Sequence, residues 1–200
     1  MPRAAAALIA LVCSAGIALQ FSATYAGQHD LALTLWVLAR FFTVICNLAV
    51  GIAMTRIALG LRVSPFVLGG LTLAILLVGI VYLILLRGLH SLSGNALLAN
   101  QLLHYVSPVA MAAYWLLFVP HGLLRWSAPW RWMLFPLIYF VYAVARGMID
   151  GRYPYPFLDV GKIGLAQTII NGLAIAAGFI PFGLGVVWLD RRLGRGRASR

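Results

Sequence analysis

Charged side chains are scarce in this sequence. They make up 10% of the 200 residues, only four of them are acidic, and 63% of all residues are hydrophobic. The mean hydropathy of +0.97 is far above that of a soluble globular domain. This composition leaves no room for a soluble domain and predicts an integral membrane protein.

Cysteine, histidine and acidic residues are also too few and too scattered for the common metal and cofactor sites. Cys13 and Cys46 both fall within apolar runs, where a small apolar thiol is more typical than a disulfide. A zinc site needs several clustered His, Cys or acidic ligands, and His104 has no close companion of that kind. Because no phosphate loop or dinucleotide fingerprint is present either, we expect no cofactor and no metal.

Long apolar runs dominate what is there. A membrane-spanning helix needs about 20 mostly apolar residues, and the chain offers six such runs, at about 4–21, 34–59, 65–86, 99–119, 130–149 and 164–189. The strict polar and apolar alternation of a membrane barrel is missing. We therefore predict an all-α polytopic membrane protein, with six transmembrane helices in one bundle at residues 1–190 and a basic, disordered tail at 191–200.

Basic residues indicate the orientation of this bundle. If the N-terminus is cytoplasmic, ten basic residues lie in inside segments and five in outside segments. The inside group is Arg3, Arg56, Arg62, Arg125, Arg131, Arg191, Arg192, Arg195, Arg197 and Arg200, and the outside group is Arg40, Arg87, Arg146, Arg152 and Lys162. Since basic residues in short loops stay cytoplasmic, both termini are predicted inside. The tail is expected to contact anionic lipid head groups.

Two other readings of the sequence are less favoured. The net charge of +11 could suggest nucleic acid, but the arginines are scattered in turns and no soluble module presents them, so no nucleic-acid partner is expected. Residues 1–27 also resemble a cleavable secretory signal with small residues near its end. Their length and the charge bias favour retention as the first helix.

Polar residues inside the predicted spans are candidates for function, because a polar side chain in hydrocarbon needs a partner and turns inward. Those at helical spacing are Arg40, Thr43 and Asn47 in the second span, Asn100, His104, Ser107 and Met111 in the fourth, and Tyr139, Tyr142, Arg146 and Asp150 in the fifth. If the second helix enters the membrane from outside near Leu35, Thr43 lies about 12 Å below the outer surface, at a similar depth to His104. The candidates converge on the outer half of the bundle, and the inner half is nearly bare of ionisable groups.

Thr43 and His104 at similar depth suggest a nucleophile and its base. The imidazole would remove the hydroxyl proton as the oxygen attacks an acyl carbonyl, and water would release the acyl-threonine. Arg40, Asn47 or Asn100 could stabilise the oxyanion, and Asp159 or a backbone carbonyl could orient the imidazole. The structural alternative is that the threonine bonds its own helix and the histidine a neighbouring one.

Four other residues were weighed in the same way. Arg146 either pairs with Asp150 or Asp159, which is favoured because intramembrane charges usually pair, or binds a substrate carboxylate. His29, His90 and His121 fall outside the cluster, in loops or at the inner end of a span.

The order of these motifs resembles a known family. RFFTVICN, then NQLLHYVSP, then FPLIYFVYAVARG running into RYPYPFLD, is similar to bacterial predicted six-pass membrane proteins. That family is related to the eukaryotic androgen-induced and androgen-dependent TFPI-regulating proteins, which are threonine hydrolases of fatty acid esters of hydroxy fatty acids. The resemblance covers about residues 31 to 190 and implies a bacterial inner membrane as the location.

The resemblance also implies site residues. The family's nucleophilic threonine follows one basic and two apolar residues, as Thr43 follows Arg40. Its histidine lies four residues before a proline and after an asparagine, as His104 does with Pro108 and Asn100. The family's YPFL motif stands at 155–158 and is followed by Asp159. A lipid ester entering from the bilayer is the implied substrate class.

Two alternatives to hydrolysis stay open. The same polar residues suit a non-catalytic lipid-binding protein or a small transporter, although a transport pathway would need polar residues on both sides of the membrane. They also suit an assembly factor in which the cluster is structural. Hydrolysis ranks first because the cluster is one-sided.

Overall fold

The chain folds almost entirely into helix. The computed structural model describes residues 1–89 and 91–198, and within them it contains α, π and 3-10 helices but no strand. The residues group into two compact units, Met1–Pro120 and His121–Arg200. The all-α prediction is therefore confirmed, while no change in composition marks the boundary between the units.

The first unit contains α-helices interrupted by two π-helical turns. In chain order these are α1 (Pro2–Gln28), α2 (Leu31–Leu38), α3 (Phe42–Ala58), α4 (Pro65–Val81), π1 (Tyr82–Leu86), α5 (Gly94–Gln101), π2 (Leu102–Val106) and α6 (Ser107–Phe118). Side chains cap two of the helices: Asp30 Oδ1 accepts from the Leu33 N–H at 2.7 Å, and Ser64 Oγ accepts from the Val67 N–H at 3.3 Å. Both caps fix where an apolar helix begins.

Helix α1 packs into the core of this unit through a face of small residues. Ala6, Ala10 and Cys13 are buried there, and small residues let helices approach closely. At Gly16 a Cβ atom would lie 2.6 Å from Leu103 Cδ2. α1 therefore packs directly on the π2 turn as well as on α3.

The second predicted helix is broken, which corrects the sequence analysis. α2 and α3 meet at 91°, and Phe41 between them has extended backbone angles (φ −90°, ψ 126°). Arg40 lies in this break, so it does not share a helix face with Thr43 and Asn47. The depth predicted for Thr43 assumed a continuous helix from Leu35, and that assumption is wrong, because Thr43 lies in the first turn of α3.

Several helices have the length and composition of membrane spans. Four qualify among the described residues, and they are Pro2–Gln28, Pro65–Leu86, Ala128–Asp150 and Val160–Arg195. The bent pair of α2 and α3 would make a fifth. The predicted span at 99–119 is not among them, because Gln101, His104 and Ser107 lower its hydropathy. These helices are compatible with a membrane protein.

The second unit consists of α7 (Ala128–Trp132), α8 (Leu134–Asp150), a 3-10 turn (Pro156–Leu158) and α9 (Val160–Ala198). Gly164 (φ 76°, ψ 157°) interrupts α9 near its start, and only glycine adopts such angles readily.

The basic tail predicted to be disordered instead continues α9 as helix to Ala198, and residues 199–200 lie outside the described part. Two stacking contacts support this helix: Arg191 lies 5.9 Å from the Trp126 ring centroid and Arg192 lies 5.3 Å from that of Trp188.

Candidate functional site

Thr43 and His104 are in direct contact within the first unit. Thr43 is 7% exposed, and its Oγ1 lies 3.2 Å from His104 Nε2. The two residues are separated by 61 positions in the chain, so the fold and not local sequence brings them together. The structure thus joins the two side chains that the sequence analysis paired.

His104 is presented by the π2 turn. The Ser107 N–H donates to the Leu102 carbonyl, five residues back, instead of continuing the α-helical pattern. Pro108 follows, and proline has no N–H to donate to a preceding turn. π turns inside helices occur frequently at functional sites. Here the turn sets the direction in which the imidazole leaves the helix.

The second ring nitrogen of His104 is held by a backbone carbonyl. Nδ1 lies 3.3 Å from the Asn100 carbonyl oxygen, and because a carbonyl can only accept, Nδ1 must carry the proton. In the neutral imidazole, Nε2 is then free to accept from the Thr43 hydroxyl. Of the two orienting groups considered from sequence, the backbone carbonyl occupies this position.

Tyr82 is a member of the site that the sequence analysis missed. Its ring stacks on the His104 ring, with centroids 4.3 Å apart and planes at 30°. Its hydroxyl oxygen accepts a hydrogen bond from Asn100 Nδ2 at 2.8 Å. Tyr82 opens the π1 turn, so both π turns of this unit contribute a ring to one stack. In sequence it is a single aromatic residue in the apolar run VYLILL, which carries no functional signal.

Asn47 binds main chain on both sides of the pair. Its Nδ2 donates to the Thr43 carbonyl at 2.9 Å and to the Leu103 carbonyl at 3.2 Å, and the residue is fully buried. An amide nitrogen has only two hydrogens. Both are engaged, so the predicted role of Asn47 as oxyanion donor does not fit the structure. Asn100, for which the same role was considered, directs its Nδ2 to Tyr82.

Arg40 is 5% exposed in the turn that precedes α3. Its charge therefore lies close in sequence to the start of the helix, three residues before Thr43. Within that first turn the Val44 N–H donates to the Phe41 carbonyl at 3.1 Å, and the N-terminal end of a helix carries a partial positive charge. The helix end and the arginine both make this region favourable for negative charge.

Arg146 and Asp159 lie in the second unit, where each has an ion-pair partner. Arg146 Nε lies 3.9 Å from Asp150 Oδ2, and its Nη1 donates to the Tyr142 hydroxyl at 2.7 Å. Asp159 Oδ2 lies 3.2 Å from Lys162 Nζ. The favoured pairing of Arg146 with Asp150 is thus present, and a substrate role for either residue stays a prediction.

The second unit also holds a buried polar cluster that the sequence analysis missed. Asp190 is fully buried, and its Oδ2 accepts from the N–H groups of Gly122 and Leu124 at 3.0 and 2.9 Å. His121 Nδ1 lies 3.4 Å from its Oδ1. The sequence analysis placed His121 at the inner end of a span but did not connect it with Asp190.

Other candidate positions do not add to the site. His29 ends α1 in a left-handed conformation (φ 52°), and His90 lies outside the described residues. In the part of the chain that is described, no three His, Cys, Asp or Glu residues are grouped to hold a metal ion.

A cavity of about 250 Å³ lies between α1 and α3, and Asn47 lines it but neither Thr43 nor His104 does. Ser14 and Gly51 also line this cavity. It is therefore separate from the Thr43–His104 pair.

Compared with known protein families, curated proteins and solved structures, the chain shows no significant match.

Proposed function

We propose that this chain is an integral membrane hydrolase that cleaves lipid esters with Thr43 as nucleophile and His104 as general base. In this proposal it crosses a bacterial inner membrane six times, with both termini in the cytoplasm. The charge asymmetry of its short loops supports the orientation. The apolar helices described above support a location in a membrane, and the resemblance suggests the bacterial inner membrane.

One observation carries the catalytic part of the proposal. Thr43 Oγ1 lies 3.2 Å from His104 Nε2, while the Asn100 carbonyl holds Nδ1 at 3.3 Å. A nucleophile, its base and a group that orients the base make up the usual apparatus for activating a hydroxyl. A threonine with a purely structural role would bond the carbonyl of its own helix, as Thr72 does with Leu68 at 2.8 Å.

The proposed acylation follows from this geometry. Thr43 Oγ1 attacks the ester carbonyl carbon while its proton moves to His104 Nε2. The tetrahedral intermediate collapses, the bond to the alcohol oxygen breaks, and His104 returns the proton to that leaving oxygen. The products of this half-reaction are the free alcohol and an acyl-threonine.

Deacylation repeats the same steps with water. His104 Nε2 removes a proton from water as the water oxygen attacks the acyl carbon. The bond between the acyl carbon and Thr43 Oγ1 then breaks, and the proton passes to Oγ1 as the acid is released. Negative charge on the carbonyl oxygen would be stabilised by the partial positive charge at the N-terminal end of α3 and by the buried Arg40. Asn47 has no amide hydrogen left for this purpose.

The substrate class rests on the surroundings and on the resemblance. A hydrolase built from apolar helices receives substrates from the bilayer, and its accessible esters are those of lipids. The ordered motifs from RFFTVICN to RYPYPFLD resemble enzymes that cut fatty acid esters of hydroxy fatty acids, so these or related acyl lipids are the proposed substrates.

The experiment that tests this function is labelling of the detergent-purified protein with a fluorophosphonate, which reacts with activated hydroxyl groups. We expect the wild type to be labelled, Thr43→Ser to keep part of the labelling, and Thr43→Ala and His104→Gln to lose it. Thr72→Ala is the matched control, because Thr72 is also a buried helical threonine, and this variant should label as the wild type does.

Folded yield from size-exclusion chromatography must be equal across these variants for the comparison to count. The hydrolase proposal would be contradicted if the well-folded wild type takes no label. It would also be contradicted if the Thr43→Ala variant is labelled as strongly as the wild type. The lipid-binding or transport alternative would then become the better explanation of the buried polar residues.

A further inference from the structure

The carbonyl oxygen of Leu103 accepts no main-chain hydrogen bond from either of the two positions that could supply one in a helix. In a regular α-helix its donor would be the N–H of Ser107, but that group bonds to the Leu102 carbonyl instead. In a continued π-helix the donor would come from position 108, which is a proline and has no N–H. A buried carbonyl without a donor is costly, so a side chain must replace the main chain here.

Two side chains do so. Asn47 Nδ2 donates to the Leu103 oxygen at 3.2 Å, and Ser107 Oγ donates to it at 3.2 Å. The serine belongs to the same helix as Leu103, whereas Asn47 comes from α3. The two bonds satisfy the same oxygen, but only the bond from Asn47 links two helices.

The other hydrogen of the Asn47 amide points to the carbonyl of Thr43, at 2.9 Å. Leu103 immediately precedes His104 in the chain. A single fully buried amide group therefore bridges the main chain of the nucleophile and the main chain next to its base. Its two hydrogens leave the same nitrogen at a fixed angle, so the bridge restricts both direction and distance.

We propose that Asn47 is a positioning residue that sets the separation of Thr43 Oγ1 and His104 Nε2. This inference rests on the proposed function, and it gives Asn47 a role that touches neither substrate nor oxyanion. It acts by holding the start of α3 against the π2 turn. Reactive groups must be held closely for this chemistry, and a misplacement of about 1 Å costs on the order of a hundredfold in rate.

Ser107 provides a matched control for this role. Ser107→Ala and Asn47→Ala each remove a buried hydrogen bond to the Leu103 carbonyl. A purely structural contribution would make the two variants similar in their effect on the site. Positioning makes them differ, because only Asn47→Ala releases α3 from the π2 turn.

The test measures the concentration dependence of fluorophosphonate labelling in the wild type, Asn47→Ala and Ser107→Ala. We expect Asn47→Ala to lower the maximal inactivation rate by about tenfold or more, with little change in the half-saturating probe concentration. Ser107→Ala should stay within about threefold of the wild type, because the Asn47 bridge is intact. Equal inactivation rates in the two variants would overturn the proposal.

A second readout does not depend on activity. Nitrogen-15 NMR of protein labelled at histidine reports the state of the two His104 ring nitrogens, with the signals assigned by their loss in His104→Gln. Asn47→Ala should shift the Nε2 signal, as its contact with Thr43 loosens, and Ser107→Ala should leave it in place.

If the wild type takes no label yet the Nε2 signal responds in this way, the hydrolase fails and the positioning role survives. An unchanged Nε2 signal in Asn47→Ala overturns the positioning role itself. Should Asn47→Ala not fold, Asn47→Ser replaces it, since its single hydroxyl hydrogen can reach only one of the two carbonyls. The same two outcomes then apply.

Discussion

Tyr82 supports the candidate base through its ring and, less directly, through its oxygen. The ring covers one face of His104. The hydroxyl oxygen accepts a hydrogen bond from the Asn100 side chain, and the main-chain carbonyl of Asn100 orients the imidazole. The two functions can be separated by substitution, because phenylalanine keeps the ring and leucine keeps neither. This makes Tyr82 the residue at which stacking and hydrogen bonding can be compared.

We expect Tyr82→Phe to lower the free energy of unfolding by about 1 kcal/mol, because Asn100 Nδ2 loses its acceptor, and to keep most of the labelling. Tyr82→Leu should also remove the stack, worth about 1 kcal/mol, and lower the labelling rate several-fold. Unfolding in detergent and labelling are measured together, with Tyr25→Phe as a control on an exposed tyrosine. Wild-type labelling in Tyr82→Leu would show that the stack does not orient His104.

Position within apolar runs and the resemblance together singled out Thr43 and His104, but not what surrounds them. Both are polar residues in apolar runs, and both stand at positions of the motifs that carry the resemblance. Asn47 was also singled out, yet its role could not be read from sequence, since an asparagine on a helix face gives no indication of which carbonyls it reaches. Tyr82 and Asp190 gave no signal, because an aromatic in an apolar run and an aspartate before arginines both have ordinary explanations.

At the scale of the element, Pro108 explains the dependence of the π2 turn on side-chain donors. Replacing it with alanine restores an N–H at position 108, which in the π pattern is the missing donor for Leu103. We expect the stability cost of Asn47→Ala to be smaller by about 1 kcal/mol in the Pro108→Ala background. A double-mutant cycle of unfolding free energies measures this coupling.

Additive costs in that cycle would mean that the new N–H does not reach Leu103. The matched cycle pairs Pro108→Ala with Thr72→Ala, whose hydroxyl bonds the Leu68 carbonyl within α4, and it should show no coupling.

Gly16 determines how closely α1 packs on the π2 turn. A Cβ atom there would lie 2.6 Å from Leu103 Cδ2 and 3.2 Å from Leu102 Cβ, so the helix or the turn must move. We expect Gly16→Ala to cost about 1–3 kcal/mol and to reduce labelling by displacing His104. Gly27→Ala, at a site in the same helix with nothing within 4 Å, should be neutral or slightly stabilising. Similar melting temperatures for the two variants would contradict this packing.

Element boundaries were less predictable than element type. The apolar runs correctly indicated helices, because their length and composition suit nothing else. The break between α2 and α3 was missed because residues 39–41 contain neither proline nor glycine. The π turns were missed because one extra residue in a turn barely alters a pattern in which most positions are apolar. Pro108 was the one available signal, and it indicated a kink and not a π turn.

At the scale of the whole molecule, the loop charges make a direct prediction about orientation. Alkaline phosphatase fused after Arg152 should be active, because that loop is predicted outside. Phosphatase fused after Arg125 or Arg200 should be inactive, since those segments carry the larger share of basic residues. Green fluorescent protein fused at the same two positions should be fluorescent. Fusion levels are checked by immunoblot. Active phosphatase after Arg200 would contradict a cytoplasmic C-terminus.

The π turns of the first unit have a consequence for aligning this chain with any homologue. Each π turn holds one residue more than the α-helical turn it replaces. Each therefore corresponds to a single-residue insertion within a helix and not within a loop. A relative without the insertion would keep the same helices but differ in length by one at 82–86 or 102–106. Alignments that place gaps only between helices would then shift His104 out of register with its counterpart. Homology between such chains is therefore easier to recognise from spatial superposition of the Thr43–His104 pair than from aligned letters.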